Sequence, residues 1–176
     1  MRVLISAASR HGSTAEIAES IGRVLRSAGL ETIVVSPEKV ASLGPYDAVV
    51  LGSAVYVGRW MESATAFATR HETVLKRRPV WLFSSGPLGE PPQPIDTLAE
   101  VNETKTRLGA RDHRVFTGRL DRGSLGLVER AMTAAVKAPA GDFRDWDDVE
   151  DWASGIAAAL TIDTARFRPA AEPARV

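Results

Sequence analysis

Cysteine is absent from the 176 residues, which excludes disulfides, thiolate metal sites, iron–sulfur clusters and a cysteine nucleophile. An excess charge of one sign is also missing. Lys+Arg and Asp+Glu stand at 22 each, unlike the basic surplus that a nucleic-acid binder gathers on one face. No apolar run approaches the ~18 residues of a membrane span. The start of the chain lacks the charged segment, long apolar centre and small-residue cleavage site of a signal peptide. The expectation is a cytoplasmic protein with no nucleic-acid partner and no transmembrane segment. His71 and His113 stand apart from one another and from any carboxylate cluster, so no metal site is expected. Neither a G-x-G-x-x-G fingerprint nor a lysine-bearing triphosphate loop is present.

What is present is an alternation of short β-rich runs with longer amphipathic stretches. Val3-Leu4-Ile5, Thr32-Ile33-Val34-Val35, Ala48-Val49-Val50-Leu51 and Val80-Trp81-Leu82-Phe83 read as strands, and Arg114-Val115-Phe116-Thr117 as a fifth. Ile17, Ile21, Val24, Leu25 and Ala28 form one helical stripe, capped at Ser13 or a near neighbour and closed by Gly29. Further helices are expected from Met61 to about Lys76, over 96–108, over Leu125–Val136 and on the Val149, Trp152, Ala153, Ile156 and Leu160 face. The link between the second and third strands carries at most an irregular turn or short helix. Such alternation implies a parallel sheet with helices on both faces and right-handed crossovers. Ligands then bind beyond the carboxyl ends of the strands. One domain over 1–160 is expected, with 161–176 as a disordered tail.

The first strand runs through Ser6-Ala7-Ala8 into Ser9-Arg10-His11-Gly12-Ser13-Thr14 and directly into a helix. This sequence suits one compact phosphate. Backbone N–H groups at a helix start have no intrahelical partner, and the helix dipole adds partial positive charge. Hydroxyls of Ser9, Ser13 and Thr14 add donors, and Gly12 lets the backbone approach.

Strand–S-x-x-G-x-T–helix, read as Ser9 to Thr14, resembles the FMN-phosphate loop of the flavodoxin superfamily. Two more loops fall where that superfamily contacts the isoalloxazine ring. One carries Ser53, Ala54, Val55, Tyr56, Val57 and Gly58; the other carries Ser84, Ser85, Gly86, Pro87, Leu88 and Gly89. The resemblance implies an α/β, three-layer α/β/α sandwich with a five-stranded parallel sheet of order 2-1-3-4-5. It implies FMN as cofactor, with Arg10 and His11 also beside the phosphate. Tyr56 and Trp60 are the candidate flat walls for the ring, with Trp60 alternatively a packing residue leading into the next helix.

The second half of the chain is similar to the menaquinone-dependent protoporphyrinogen oxidase family. The similarity rests on Val115-Phe116-Thr117-Gly118-Arg119-Leu120, the Leu125–Val136 helix and Asp145-Trp146-Asp147 before the last helix. That family carries a longer insertion with aromatic and basic residues, implicated in substrate and membrane contact. Here Asp121–Asp145 holds one aromatic, Phe143. The Leu125–Val136 face serves either to cover the sheet or to meet a membrane surface or quinone partner. The resemblance implies an FMN oxidoreductase passing electrons from a reduced organic substrate to a quinone-type acceptor, with no side chain required as acid or base. A flavodoxin-type electron carrier docking a redox partner protein, or a flavin-binding regulatory protein, are the alternatives.

Overall fold

The structure, a computed structural model, describes residues 1–56, 58–86, 99–120 and 140–167. Val57, Pro87, Leu88, Gly89 and the expected Leu125–Val136 helix lie outside the described residues.

Five parallel strands make the central sheet: β1 (Arg2–Ala8), β2 (Glu31–Val35), β3 (Ala48–Tyr56), β5 (Val80–Ser85) and β6 (Asp112–Phe116). They lie in the order β2-β1-β3-β5-β6. Counting these five alone, that is the expected 2-1-3-4-5. The remaining strand of this sheet, β4 (Arg59–Trp60), folds back antiparallel on β3, with Val55 opposite Trp60 and Tyr56 opposite Arg59. The helices are α1 (Ser13–Ser27), α2 (Glu62–Arg70), α3 (Glu72–Leu75), α4 (Ala99–Leu108) and α5 (Trp146–Phe167), with a 3-10 turn at Pro37–Lys39. Arg119–Leu120 (β7) and Gly141–Asp142 (β8) pair as a separate antiparallel ribbon.

The sheet buries both faces. Val3, Ile5, Val50 and Phe83 pack under α1 and α5 through Ile17, Ile21, Leu25, Val149, Ala153, Ile156 and Leu160. Leu4, Val49, Leu51 and Leu82 pack on the other face against Phe67, Leu75, Val101 and Leu108. Ala48 to Leu51 is wholly buried, as a continuous apolar strand under helices on both faces should be. Burying each large aliphatic or aromatic side chain contributes roughly 1.5–3 kcal/mol, so both helical layers are held chiefly by this core.

Several boundaries differ from the sequence reading. Strands β1, β3 and β5 run on to Ala8, Tyr56 and Ser85. Their last residues are mostly Ser, Ala and Gly, weak strand formers individually. They are held extended because neighbours on both sides supply ladder partners, as Ala8 does for Ser53 and Ser53 for Ser84. Ser53 to Tyr56 and Ser84–Ser85 are therefore strand ends rather than loop. Strand β6 starts two residues earlier than expected. Its polar residues are matched by α5: Trp152 Nε1 donates to Asp112 at 2.7 Å, and Arg114 pairs with Asp148. The helix expected from Met61 to Lys76 is interrupted at His71. The last helix does not stop near residue 160 but continues to Phe167, and Asp163 on this extension pairs with Arg111 at 2.7 Å. Residues 161–167 are thus not part of a tail; 168–176 lie outside the described residues. Among the described residues no helix is long and apolar enough to cross a membrane.

Candidate functional site

The carboxyl ends of β1, β3 and β5 lie side by side in the sheet, so the three segments singled out in the sequence meet at one edge. Strand β1 delivers the chain to Ser9 and on to α1, whose N-cap is Gly12 rather than Ser13. Gly12 has φ 85°, a left-handed conformation that side chains disfavour. No side chain caps the helix. The carbonyl of Gly12 accepts the first intrahelical bond, from the Glu16 N–H at 2.9 Å, leaving the earlier amides of the first turn without intrahelical acceptors.

Ser9 Oγ is buried with no hydrogen-bond partner, which costs about 1–3 kcal/mol unless a ligand or water satisfies it. Thr14 is only 2% exposed. Ser13 Oγ accepts from the Arg119 N–H at 3.3 Å, so the β7–β8 ribbon rests on the side of the loop. His11 is half-buried and Arg10 exposed.

The ribbon supplies an electrostatic correction that the sequence did not announce. Glu16, in the first turn of α1, would repel a phosphate. Arg144 meets it at 2.6 Å and Arg119 at 3.4 Å. Arg144 also holds Asp142 at 2.6 Å, stacks over Trp146 at 4.5 Å, and its side chain is 3% exposed. Hydrogen bonding to Asp142 is the main cause that raises the Arg144 pKa further, and bonding from Arg144 lowers that of Asp142. Two arginines thus balance two carboxylates beside the loop. The signal was available only as scattered Arg residues more than 100 positions from Glu16.

At the end of β3, Ser53 is wholly buried. Its hydroxyl donates to the Ala54 carbonyl at 2.8 Å and accepts the Met61 N–H at 2.9 Å, closing the base of the β3–β4 hairpin. The Ser53 side chain is thereby committed inside the protein. Ala54 and Val55 are half-buried, Gly58 is exposed and Tyr56 is 39% exposed at the hairpin crest. Trp60, read as either a second wall or a packing residue, is 5% exposed and packs in the core under α2. It is no ring wall, because its indole points inward to Ser84. At the end of β5, Ser84 and Ser85 are buried. The Gly86 N–H donates to the Phe116 carbonyl at 3.2 Å. A methyl group at Gly86 would stand 3.2 Å from Val55 Cβ, so the two strand ends approach closely.

The structure therefore brings Ser9, Gly12, Ser13, Thr14, Val55, Tyr56, Ser85 and Gly86 to one sheet edge. Ser53 and Ser84 face inward beneath it. Sequence reasoning missed the Trp60–Ser84–His113 contact: His113 Nε2 lies 2.8 Å from Ser84 Oγ, and Trp60 Nε1 donates to the same oxygen at 2.8 Å.

Comparison with known proteins agrees with this fold. The archaeal flavodoxin structure superposes with a TM-score of 0.62 at 15% identity, over 92% of this chain and 99% of that one. A cysteine-to-alanine mutant of the flavodoxin from Pseudomonas aeruginosa gives 0.57 at 19% identity, over 92% and 99%. Rubredoxin:oxygen oxidoreductase from Desulfovibrio gigas gives 0.64 at 14% identity, over 93% of this chain but 37% of that one. These identities establish a shared fold. No curated protein sequence matches. A family model described as a flavodoxin domain matches residues 4–147, spanning all five parallel strands and the ribbon, and the chain belongs to that flavodoxin domain family.

Proposed function

We propose that the chain binds FMN at this edge and passes electrons from a reduced organic substrate to a quinone-type acceptor, as in the menaquinone-dependent protoporphyrinogen oxidases it resembles. The observation that carries the reading is the α1 start: a helix without a side-chain cap, beside a buried serine hydroxyl without a partner. A phosphate dianion satisfies both at once. When bound, the flavin supplies electron and hydride transfer at N5.

The first-turn amides, Ser9, Ser13 and Thr14 would hold the phosphate, while Arg144 and Arg119 neutralise Glu16. Tyr56 would offer a flat aromatic wall worth roughly 0.5–1.5 kcal/mol beyond burial. Val55, Ser85 and Gly86 line the approach to the ring edge. Ala54, Val57, Gly58, Pro87, Leu88 and Gly89 complete the ring-binding loops in this reading. Arg10 and His11 flank the phosphate. No catalytic side chain is assigned.

A flavodoxin-type carrier is the second reading, favoured by solved flavodoxins that match over nearly their full length. Against it stands the zero net charge, which gives no global field to steer a charged partner. Anaerobically reduced protein challenged with menadione or with a cytochrome separates the two: rapid turnover with the quinone supports the oxidase, and transfer to the cytochrome alone supports the carrier.

The phosphate assignment is tested by Ser9→Ala combined with Thr14→Ala. Each lost bond to a charged phosphate costs roughly 1.5–3 kcal/mol, so FMN affinity should fall at least about a hundredfold with circular dichroism unchanged. Riboflavin, which lacks the phosphate, should bind both proteins equally. Unchanged FMN affinity in a fluorescence titration would refute the site.

A further inference from the structure

Trp60 on β4, Ser84 near the end of β5 and His113 near the start of β6 form a line of three side chains that the flavin assignment does not use. Trp60 Nε1 donates to Ser84 Oγ at 2.8 Å, and Ser84 Oγ lies 2.8 Å from His113 Nε2. Trp60 is nearly buried and Ser84 wholly so; His113 is half-buried. The line runs on the α2–α4 face directly beneath the candidate ring-binding segments.

Hydrogen-bond accounting assigns its polarity. The indole is a donor only, so it occupies a lone pair of Ser84 Oγ. The Ser84 hydroxyl proton then needs an acceptor, and the unprotonated Nε2 of a neutral His113 is the one the geometry provides. Neutral His113 therefore carries its proton on Nδ1. If the ring takes a second proton, Nε2–H faces Ser84 Oγ as a donor. A buried oxygen would then meet two donors while its own proton has no acceptor, and one bond of the line must weaken.

Trp60 is also the residue opposite Val55 in the hairpin, and its neighbour Met61 donates to Ser53. Trp60 thus sits one pair below Tyr56 and Arg59 in the same hairpin. We propose that His113 is a positioning residue: its neutral ring, acting through Ser84 and Trp60, holds the β3–β4 hairpin in the set that receives the flavin, and protonation loosens that hold. The flavin half of this statement rests on the function proposed above; the coupling of histidine to hairpin does not.

Among the described residues, the charges acting on the ring are Lys105, from α4, and Asp112 on its own strand. Burial first and then Lys105 lower its pKa, and Asp112 raises it. The same helix also carries Glu100, whose Oε2 is buried without a partner.

The test begins with the flavin-free protein. In 15N NMR the Trp60 indole resonance, assigned by its loss in Trp60→Phe, should titrate with the same midpoint as the His113 ring, below the ordinary histidine value. Lys105→Gln should move both midpoints upward together. His113→Gln keeps an acceptor at the Nε2 position and removes the titration, so the indole signal should become independent of pH. An indole that does not follow His113 overturns the proposal.

FMN affinity is then measured for both proteins across the same pH range. The ratio cancels the ionisation of the FMN phosphate itself. Wild-type affinity should fall about fivefold relative to His113→Gln as pH drops through the midpoint, the size expected for losing one hydrogen bond. A ratio constant with pH overturns the flavin half. Failure of both proteins to bind FMN at any pH would instead refute the proposed cofactor, while the indole titration still decides the coupling.

Discussion

The two faces of the sheet are filled in different ways. Under α1 and α5 the filling is apolar and aromatic. Phe83, Phe116 and Trp152 meet with ring centroids 5.6–6.3 Å apart, and Gly52 makes room for them. A methyl group at Gly52 would stand 2.1 Å from the Phe83 ring. Under α2 and α4 the lower half is equally apolar, but at the carboxyl end it holds the Trp60–Ser84–His113 line. One face is a packing problem and the other, at its upper end, a hydrogen-bonding problem. Polar groups in a core are costly unless satisfied, and these lie where the strands meet the candidate ligand.

The contrast predicts different responses to truncation. Phe83→Ala opens a cavity in the aromatic cluster and should cost about 3–5 kcal/mol in denaturant unfolding. Gly52→Ala alone overpacks the same place. Added to Phe83→Ala it should be nearly free, because its clashing partner is gone; a fully additive double mutant would show that the glycine serves something other than this ring. On the opposite face Ser84→Ala removes only an oxygen. It strands the Trp60 N–H, so it should cost about 1–3 kcal/mol, with a visible shift in tryptophan fluorescence. A neutral result would mean that the indole finds water.

The same contrast explains what could be read in advance. Apolar strands and helical stripes such as Ala48–Leu51 and Ile17–Leu25 announce themselves because burial on both faces leaves only hydrophobic residues. The turn from Ser9 to Gly12 into α1 was legible because hydroxyls and glycine before a helix have a local physical meaning. Four features escaped. Strand ends made of Ser, Ala and Gly take their extension from neighbours, not from their own preference. The first two residues of β6, Asp112 and His113, looked too polar for a strand; Trp152, the partner of Asp112, lies over 30 residues on. The Arg119–Glu16–Arg144 balance and the His113 line exist only once distant segments are brought together, so no window of sequence contains them.

The smallest effect expected is a dependence of stability on pH, and it falls on the polar face. His113 has its pKa lowered by burial and then by Lys105, against the opposing pull of Asp112. His71, over the Phe67 ring at 4.8 Å, is lowered by burial and then by Arg70. Each ring thus binds its proton more weakly folded than unfolded. As pH falls below the ordinary histidine value of about 6.5, the unfolded chain takes up protons first, so stability must decline until the folded rings titrate too. Above that value the contribution is complete and flat. Denaturation midpoints should therefore fall as pH is lowered from about 7 to about 5, and His113→Gln should remove only the His113 part of the fall, leaving that of His71. If the variant falls as steeply as the wild type, His113 binds its proton as readily in the folded chain as in the unfolded one, and burial beside Ser84 does not disfavour the charged ring.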